Sequence, residues 1–282
     1  MLNTVFFGSK NDFNQVLVHW LSQKTNLTGV VWTSSTAWQQ TWSGRLAFAR
    51  RRLRRYGLLK VINETLFFLC YHGFIKKDDT ADLYERIIHP YWDEHGSASW
   101  MGEAIFTLDV NEQPVLDFLR ERQPDVAFAM CINNFFGEEL RSIPKHGVLL
   151  WHEGITPEYK GLYAPFWAVH NLDFDNIGYT LLRMNDKFDA GEILIQGAAE
   201  NVDPAQHNHV YIGHKAIIDS LPGVDGLLTK LEAGSARYIA RSDAKPGYYT
   251  YPGITDLIRQ RVRLRRRSRK ELKGVNDRTT AR

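Results

Sequence analysis

The run Val148, Leu149, Leu150 and Trp151 constrains the fold most. Consecutive apolar residues bounded by turn formers suit a strand buried on both faces. Such a strand needs helices on either side of its sheet, and the surrounding pattern supplies them. Strands expected at 3–7, 27–32, 126–132 and 177–184 alternate with helices at 12–23 and 110–122. Two more helices are expected at 209–221 and 225–233, the last stopped by Gly234. This alternation predicts a doubly wound, mainly parallel α/β sheet.

After Trp151 the chain turns sharply. Gly154 permits positive φ, Pro157 fixes its own φ and pushes Thr156 toward extended geometry, and Gly161 closes the loop. His152 is thereby expected near the C-terminal end of a strand, where open α/β sheets place ligands. The loop after the 177–184 strand carries Asp186 and Asp189, so two strand ends would bring His152 and Asp189 together. An imidazole oriented by a carboxylate is a common acid/base arrangement near neutral pH. The plainer reading of His152 is a loop histidine satisfied by backbone.

Taken as a set, residues 151–161 (WHEGITPEYKG), 165–171 (PFWAVHN), 177–180 (IGYT) and the FDAGEIL stretch around Asp189 resemble the 10-formyltetrahydrofolate-dependent formyltransferases. The TVFFGS segment at 4–9 is similar to that family's first strand and turn, so the resemblance covers roughly residues 1–235. It implies a Rossmann-like formyltransferase fold, a cytoplasmic biosynthetic role, and transfer of a formyl group to an amine. The acceptor would be an amino sugar or an intermediate in natural-product assembly. It further implies that His152 is the general acid/base and oxyanion partner and that Asp189 tunes it. Backbone around Cys131, Ile132, Phe135 and Gly137, and around Phe188 and Gly191, would hold the pterin. Gly154, Thr156, Pro157, Tyr159, Lys160 and Gly161 would shape the turn and touch the acceptor.

One position departs from the family pattern. An asparagine two residues before the histidine is expected, and this chain has Leu150. Leucine donates no hydrogen bond, and losing one oxyanion donor typically costs about 10²- to 10³-fold in rate. Asn133 and Asn134, at the end of the 126–132 strand, are the nearest candidates for a replacement donor, although Asn pairs there also serve as turn formers. A formyltetrahydrofolate hydrolase and a non-catalytic folate-binding protein stand as alternatives.

The chain has 282 residues, 44% hydrophobic and 12% aromatic, enough for one large core. It is read as a catalytic domain over 1–235, a helical insertion over 33–99 rich in arginine and aromatics, and an aromatic then basic extension over 236–282. The short extension makes tRNA a poor acceptor. No stretch of eighteen apolar residues and no signal-like N-terminus occurs, so a cytoplasmic location is expected. Cys70 and Cys131 suit reduced core thiols, and His207, His209 and His214 fit no zinc spacing, so no metal is expected. The net charge of +3 is unevenly placed, with basic segments at 45–60 and 259–273. These read as solvated faces or, functionally, as surfaces for an anionic membrane, an acidic partner or a phosphorylated substrate. The apolar stretch 61–75 is too short to span a bilayer and suits a buried or interfacial helix.

Overall fold

Strand β1 (Asn3–Ser9) lies inside a mixed sheet, between β2 (Asn26–Thr33) and β4 (Val126–Met130). Beyond β2 the sheet continues to β3 (Ala104–Thr107), and beyond β4 to β5 (Val148–His152), β7 (Gly178–Arg183) and β8 (Glu192–Ala198). The first five strands are parallel, whereas β7 runs antiparallel to both β5 and β8. The structure is a computed structural model and describes residues 1–33, 41–96, 100–130, 134–241 and 244–280, with side chains to 267.

The pleat of β1 divides two apolar layers, Val5 and Phe7 on one face and Phe6 on the other. Phe6 packs in the layer that holds Leu17 and Leu21 of α1 (Asp12–Lys24) and Ile217 and Leu228 of α7 (His209–Glu232). Val5 and Phe7 pack with Val115 and Leu119 of α4 (Gln113–Arg122) and Leu140 of α5 (Glu138–Ser142). Burying each such side chain stabilises the fold by about 1.5–3 kcal/mol. Asn11 starts α1 by accepting a hydrogen bond from the Asn14 N–H at 2.8 Å.

α7 corrects the expectation of two helices at 209–221 and 225–233, because it is continuous with Pro222 inside it. Proline removes one hydrogen bond, yet Val224, Leu227, Leu228 and Leu231 keep the apolar face buried through the break.

The insertion forms α2 (Trp42–Tyr56) and a long helix α3 (Leu58–His95) that includes π-helical stretches at Tyr71–Ile75 and Tyr84–Ile88. This helix is much longer than the apolar 61–75 stretch. Its C-terminal half docks Leu83, Ile87 and Ile88 into the main core. Phe67 and Tyr71 meet Phe166 of α6 (Ala164–Asn171). The C-terminal residues stitch onto the body. β9 (Tyr248–Tyr249) pairs with β6 (Lys160–Gly161), and Gln260 of α8 (Ile254–Thr280) donates to the Phe166 carbonyl at 2.9 Å.

Candidate active site

Alternation along β5 turns Trp151 toward one face of the sheet, where it stacks on Phe128 and donates to Ser220 of α7 at 3.1 Å. Leu150 and His152 point to the other face and line a cavity of about 450 Å³. Leu182 pairs with Leu150 across β5 and β7, and lines the same cavity with Met184. The floor beside His152 is therefore apolar at the position where the family pattern has asparagine.

His152 is buried and held at both ends of its ring. Nε2 lies 2.6 Å from the Tyr159 carbonyl, which makes Nε2 the protonated, donating nitrogen. Nδ1 is left 3.7 Å from Asp189 Oδ1. The Tyr159 carbonyl reaches the ring because the 153–161 turn closes tightly. Tyr159 N–H donates to Ile155 O at 2.8 Å, and Thr180 Oγ1 donates to Gly154 O at 2.7 Å while accepting from Thr156 N–H at 3.1 Å. The Thr156–Pro157 peptide is cis. Gly154 answers to space, since a Cβ there would sit 2.6 Å from Ala164 Cβ and 3.0 Å from His152 Nε2.

Asp189 arrives by a route the sequence reading did not foresee. Because β7 runs antiparallel to β5, with Thr180 opposite His152 and Arg183 opposite Leu149, the loop after β7 begins at the far end from His152. The loop folds back over the cavity instead of meeting His152 as a neighbouring strand end. Asn185 shapes it, accepting from Lys187 N–H at 2.8 Å and donating to Ala190 O at 3.0 Å. Phe188 meets Phe135 edge to face across the opening, and Asp189, at φ 47°, accepts from Gly161 N–H through Oδ2 at 2.8 Å. One carboxylate oxygen thus fixes the loop while the other faces the imidazole.

His152, Asp189, Asn134, Phe135, Phe188 and Gly161 line one cavity. Several other expected residues do not. Thr156, Pro157, Lys160 and Gly191 border a second cavity of about 310 Å³ on the other side of Asp189. Tyr159 is buried, donates to Asp173 at 2.8 Å and stacks on Tyr249, so it builds the turn and does not reach an acceptor. The Gly137 N–H donates to Asn111 Oδ1 at 2.6 Å and is spent on the fold instead of on a pterin. Gly191 passes the Arg183 carbonyl so closely that a Cβ would overlap it, which is a packing role. Asn134 directs its amide nitrogen to Leu108 O at 2.9 Å, so that donor is committed away from His152. Cys131, Ile132 and Asn133 lie outside the described residues.

Glu153 and Tyr163 also line the cavity without being expected from sequence, and Tyr248, which the aromatic extension offers as either a stacking wall or a packing residue, lines it too. Tyr163 holds positive φ, 59°, just ahead of α6. A non-glycine residue in that conformation leaves no mark in the sequence. Its ring touches Phe67 of α3, His209 of α7 and Tyr251 of the extension, at centroid distances of 6.0, 5.6 and 5.9 Å. Burial, then the neighbouring Tyr251 and Glu153, push its hydroxyl up to about 12, so it stays a donor at neutral pH.

Residues 102–211 match the family model described as Formyl transferase. The chain is similar to the methionyl-tRNA formyltransferase of Caldicellulosiruptor saccharolyticus, 26% identical over 144 residues, 48% of this chain and 45% of that one. It is similar also to the methionyl-tRNA formyltransferase of Thermotoga neapolitana, 34% identical over 95 residues, 34% of this chain and 30% of the relative. The chain thus spans less than half the length of these curated relatives. Among solved structures, a sugar N-formyltransferase from a Shewanella species superposes with a TM-score of 0.52 at 11% identity, covering 91% of this chain and 78% of that one. A 4-N formyltransferase from Francisella tularensis gives a TM-score of 0.50 at 14% identity, covering 87% and 75%. These likenesses establish a shared α/β fold.

Proposed function

We propose that this protein, whose residues 102–211 match the Formyl transferase family model and which is similar in sequence to methionyl-tRNA formyltransferases, transfers a formyl group to the amine of a small molecule. The family draws that group from 10-formyltetrahydrofolate. The observation that carries the reading is His152 Nδ1 at 3.7 Å from Asp189 Oδ1 on the wall of a cavity of about 450 Å³. That volume lies within the range of small-molecule sites. Its apolar lining, Met130, Leu150, Leu182, Met184 and the Phe135–Phe188 pair, suits a flat bicyclic ring with polar groups at one edge. In this reading the folate supplies the formyl carbon, and the cytoplasm is where the reaction runs.

The residues divide the proton work. With Nε2–H engaged by the Tyr159 carbonyl, only Nδ1 is open to take the proton the attacking amine releases. Asp189, anchored through Gly161 N–H, stabilises the imidazolium so formed without moving. As the new C–N bond forms, the bond from the formyl carbon to the folate nitrogen breaks, and the proton passes from His152 to that leaving nitrogen. Leu150 gives no hydrogen bond to the formyl oxygen as negative charge gathers there. Tyr163, a donor at neutral pH on the same cavity wall, is the group we assign to that oxygen.

Leu150 specifically favours a second reading, in which folate binds and is not turned over, since attack by water would need the same oxyanion donor as attack by an amine. The test is consumption of 10-formyltetrahydrofolate by the purified chain, with and without a panel of amino sugars and other amines. Amine-dependent consumption supports transfer, and amine-independent release of formate assigns a hydrolase. Binding with no consumption across the panel sinks the transferase reading in favour of a binding protein.

A further inference from the structure

We propose that the insertion and the start of α8 form a docking face for an anionic lipid bilayer, beside the mouth of the catalytic cavity. On α2, Trp42, Leu46 and Leu53 recur at helical spacing along one edge and are exposed, Trp42 at 84%. On α3, Leu58, Ile62, Leu66 and Leu69 form a second exposed stripe, with Leu59 and Phe74 at 84% and 82%. The two helices are joined by the Arg52–Glu64 ion pair at 2.5 Å. α8 meets α3 through Asn63 and Thr255 at 2.9 Å and adds exposed Ile258 and Val262.

Charge identifies the occupant. No aspartate or glutamate occurs from Thr41 to Asn63, while Arg50, Arg51, Arg54 and Arg55 are exposed around the α2 stripe. Arg259, Arg261, Arg263 and Arg265 to Arg267 are exposed on α8. A second apolar protein surface would not need this density of cations, and a nucleic acid would not need exposed leucines and tryptophan. A leaflet with anionic head groups takes both. The helices lie on the bilayer and do not cross it. By length and composition α3 could span, but the exposed stripe from Leu58 to Leu69 covers about 17 Å of helix against about 30 Å of hydrocarbon, and the C-terminal half of α3 docks one face, Leu83, Ile87 and Ile88, into the core.

The face adjoins the cavity. Tyr248 of the cavity wall lies within electrostatic reach of Arg55 and Tyr56 of α2, and Phe67 of α3 packs on Tyr163. Resting on the transferase reading, this places amines carried on lipid-anchored head groups within reach of His152.

The experiment is flotation of the full chain with vesicles of phosphatidylglycerol and phosphatidylcholine, against phosphatidylcholine alone. Wild type should float only with the anionic vesicles. Paired Trp42→Ser and Leu59→Asp substitutions, and separately Arg51→Glu with Arg55→Glu, should each lower the bound fraction at least 10-fold with the thermal midpoint retained. Failure to float overturns docking, as does flotation unaffected by the apolar pair. Unaffected flotation joined to tight binding of a short RNA reassigns the face to nucleic acid. Concentration-dependent dimerisation lost in the apolar pair, without flotation, reassigns it to a second copy. For the acceptor, vesicles bearing an amine-headgroup lipid should speed donor consumption about 10-fold for wild type over the apolar pair, with soluble amines turned over equally by both. Equal rates on vesicles reject the lipid-anchored acceptor and leave docking and transfer standing.

Discussion

The loop-covered face of β5 and the exposed face of α2 and α3 are built on opposite terms. Around His152 the groups that set the site are tied down, with Nε2 on the Tyr159 carbonyl, Asp189 on Gly161 N–H and Thr180 bridging the turn. On the insertion, tryptophan, leucine and phenylalanine stand in solvent, and the family match begins only at residue 102, beyond it. The first region holds the His152–Asp189 pair fixed on the wall of a small cavity. Among the described residues, the apolar stripes of the second region are left uncovered. On the proposed readings, chemistry and placement fall to separate parts of one fold, joined where Phe67, Tyr251 and Tyr163 meet.

The comparison breaks first at Asp189. Asp189→Asn keeps an acceptor for Gly161 N–H but removes the charge facing His152, so kcat for amine formylation should fall about 10²-fold with KM little changed. A fall below threefold would show that Asp189 only anchors the loop. Leu150→Asn restores a donor beside His152, and steady-state turnover should rise about 10-fold or more. Unchanged turnover would mean that Tyr163, the donor assigned to the formyl oxygen, already serves it in full and that Leu150 costs nothing.

A third test sharpens the insertion side. Asp79 of α3 is buried near His209 of α7, with one carboxylate oxygen lacking a hydrogen bond, and burial raises its pKa to about 6 from 3.8. A raised folded pKa means that the native state holds the extra proton between about pH 4 and 6, so ionisation costs stability as pH rises through that window. Asp79→Asn should therefore be more stable than wild type at pH 7, by about 1 kcal/mol once the unpaired amide is counted, with the gap closing below about pH 4. Thermal midpoints at the two pH values decide this, and an equal gap at both would remove the ionisation from the account. The smallest effect is expected at Lys160, which borders the second cavity. Lys160→Ala should change turnover less than about twofold in the same assay.

Much of the catalytic half could be read from sequence because the signals there are local. The apolar runs of β4 and β5 and the Gly154, Pro157, Gly161 turn announce a strand end with a histidine on it. What escaped depends on pairing and backbone state. Nothing in residues 177–184 tells that β7 pairs antiparallel, so the path of Asp189 over the cavity was invisible. The two-residue strands β6 and β9 have no periodicity to detect. Proline at 222 reads as a stop, and only tertiary burial of the following leucines carries α7 through it. Tyr163 acts through a positive φ that no composition rule marks.

The central claim is that His152 takes the amine proton in a formyl transfer. It is tested most directly by amine-dependent consumption of 10-formyltetrahydrofolate, comparing wild type with His152→Ala at matched folate binding. The account predicts a loss of about 10²- to 10⁴-fold in the variant with binding retained. Equal consumption by both proteins would contradict it.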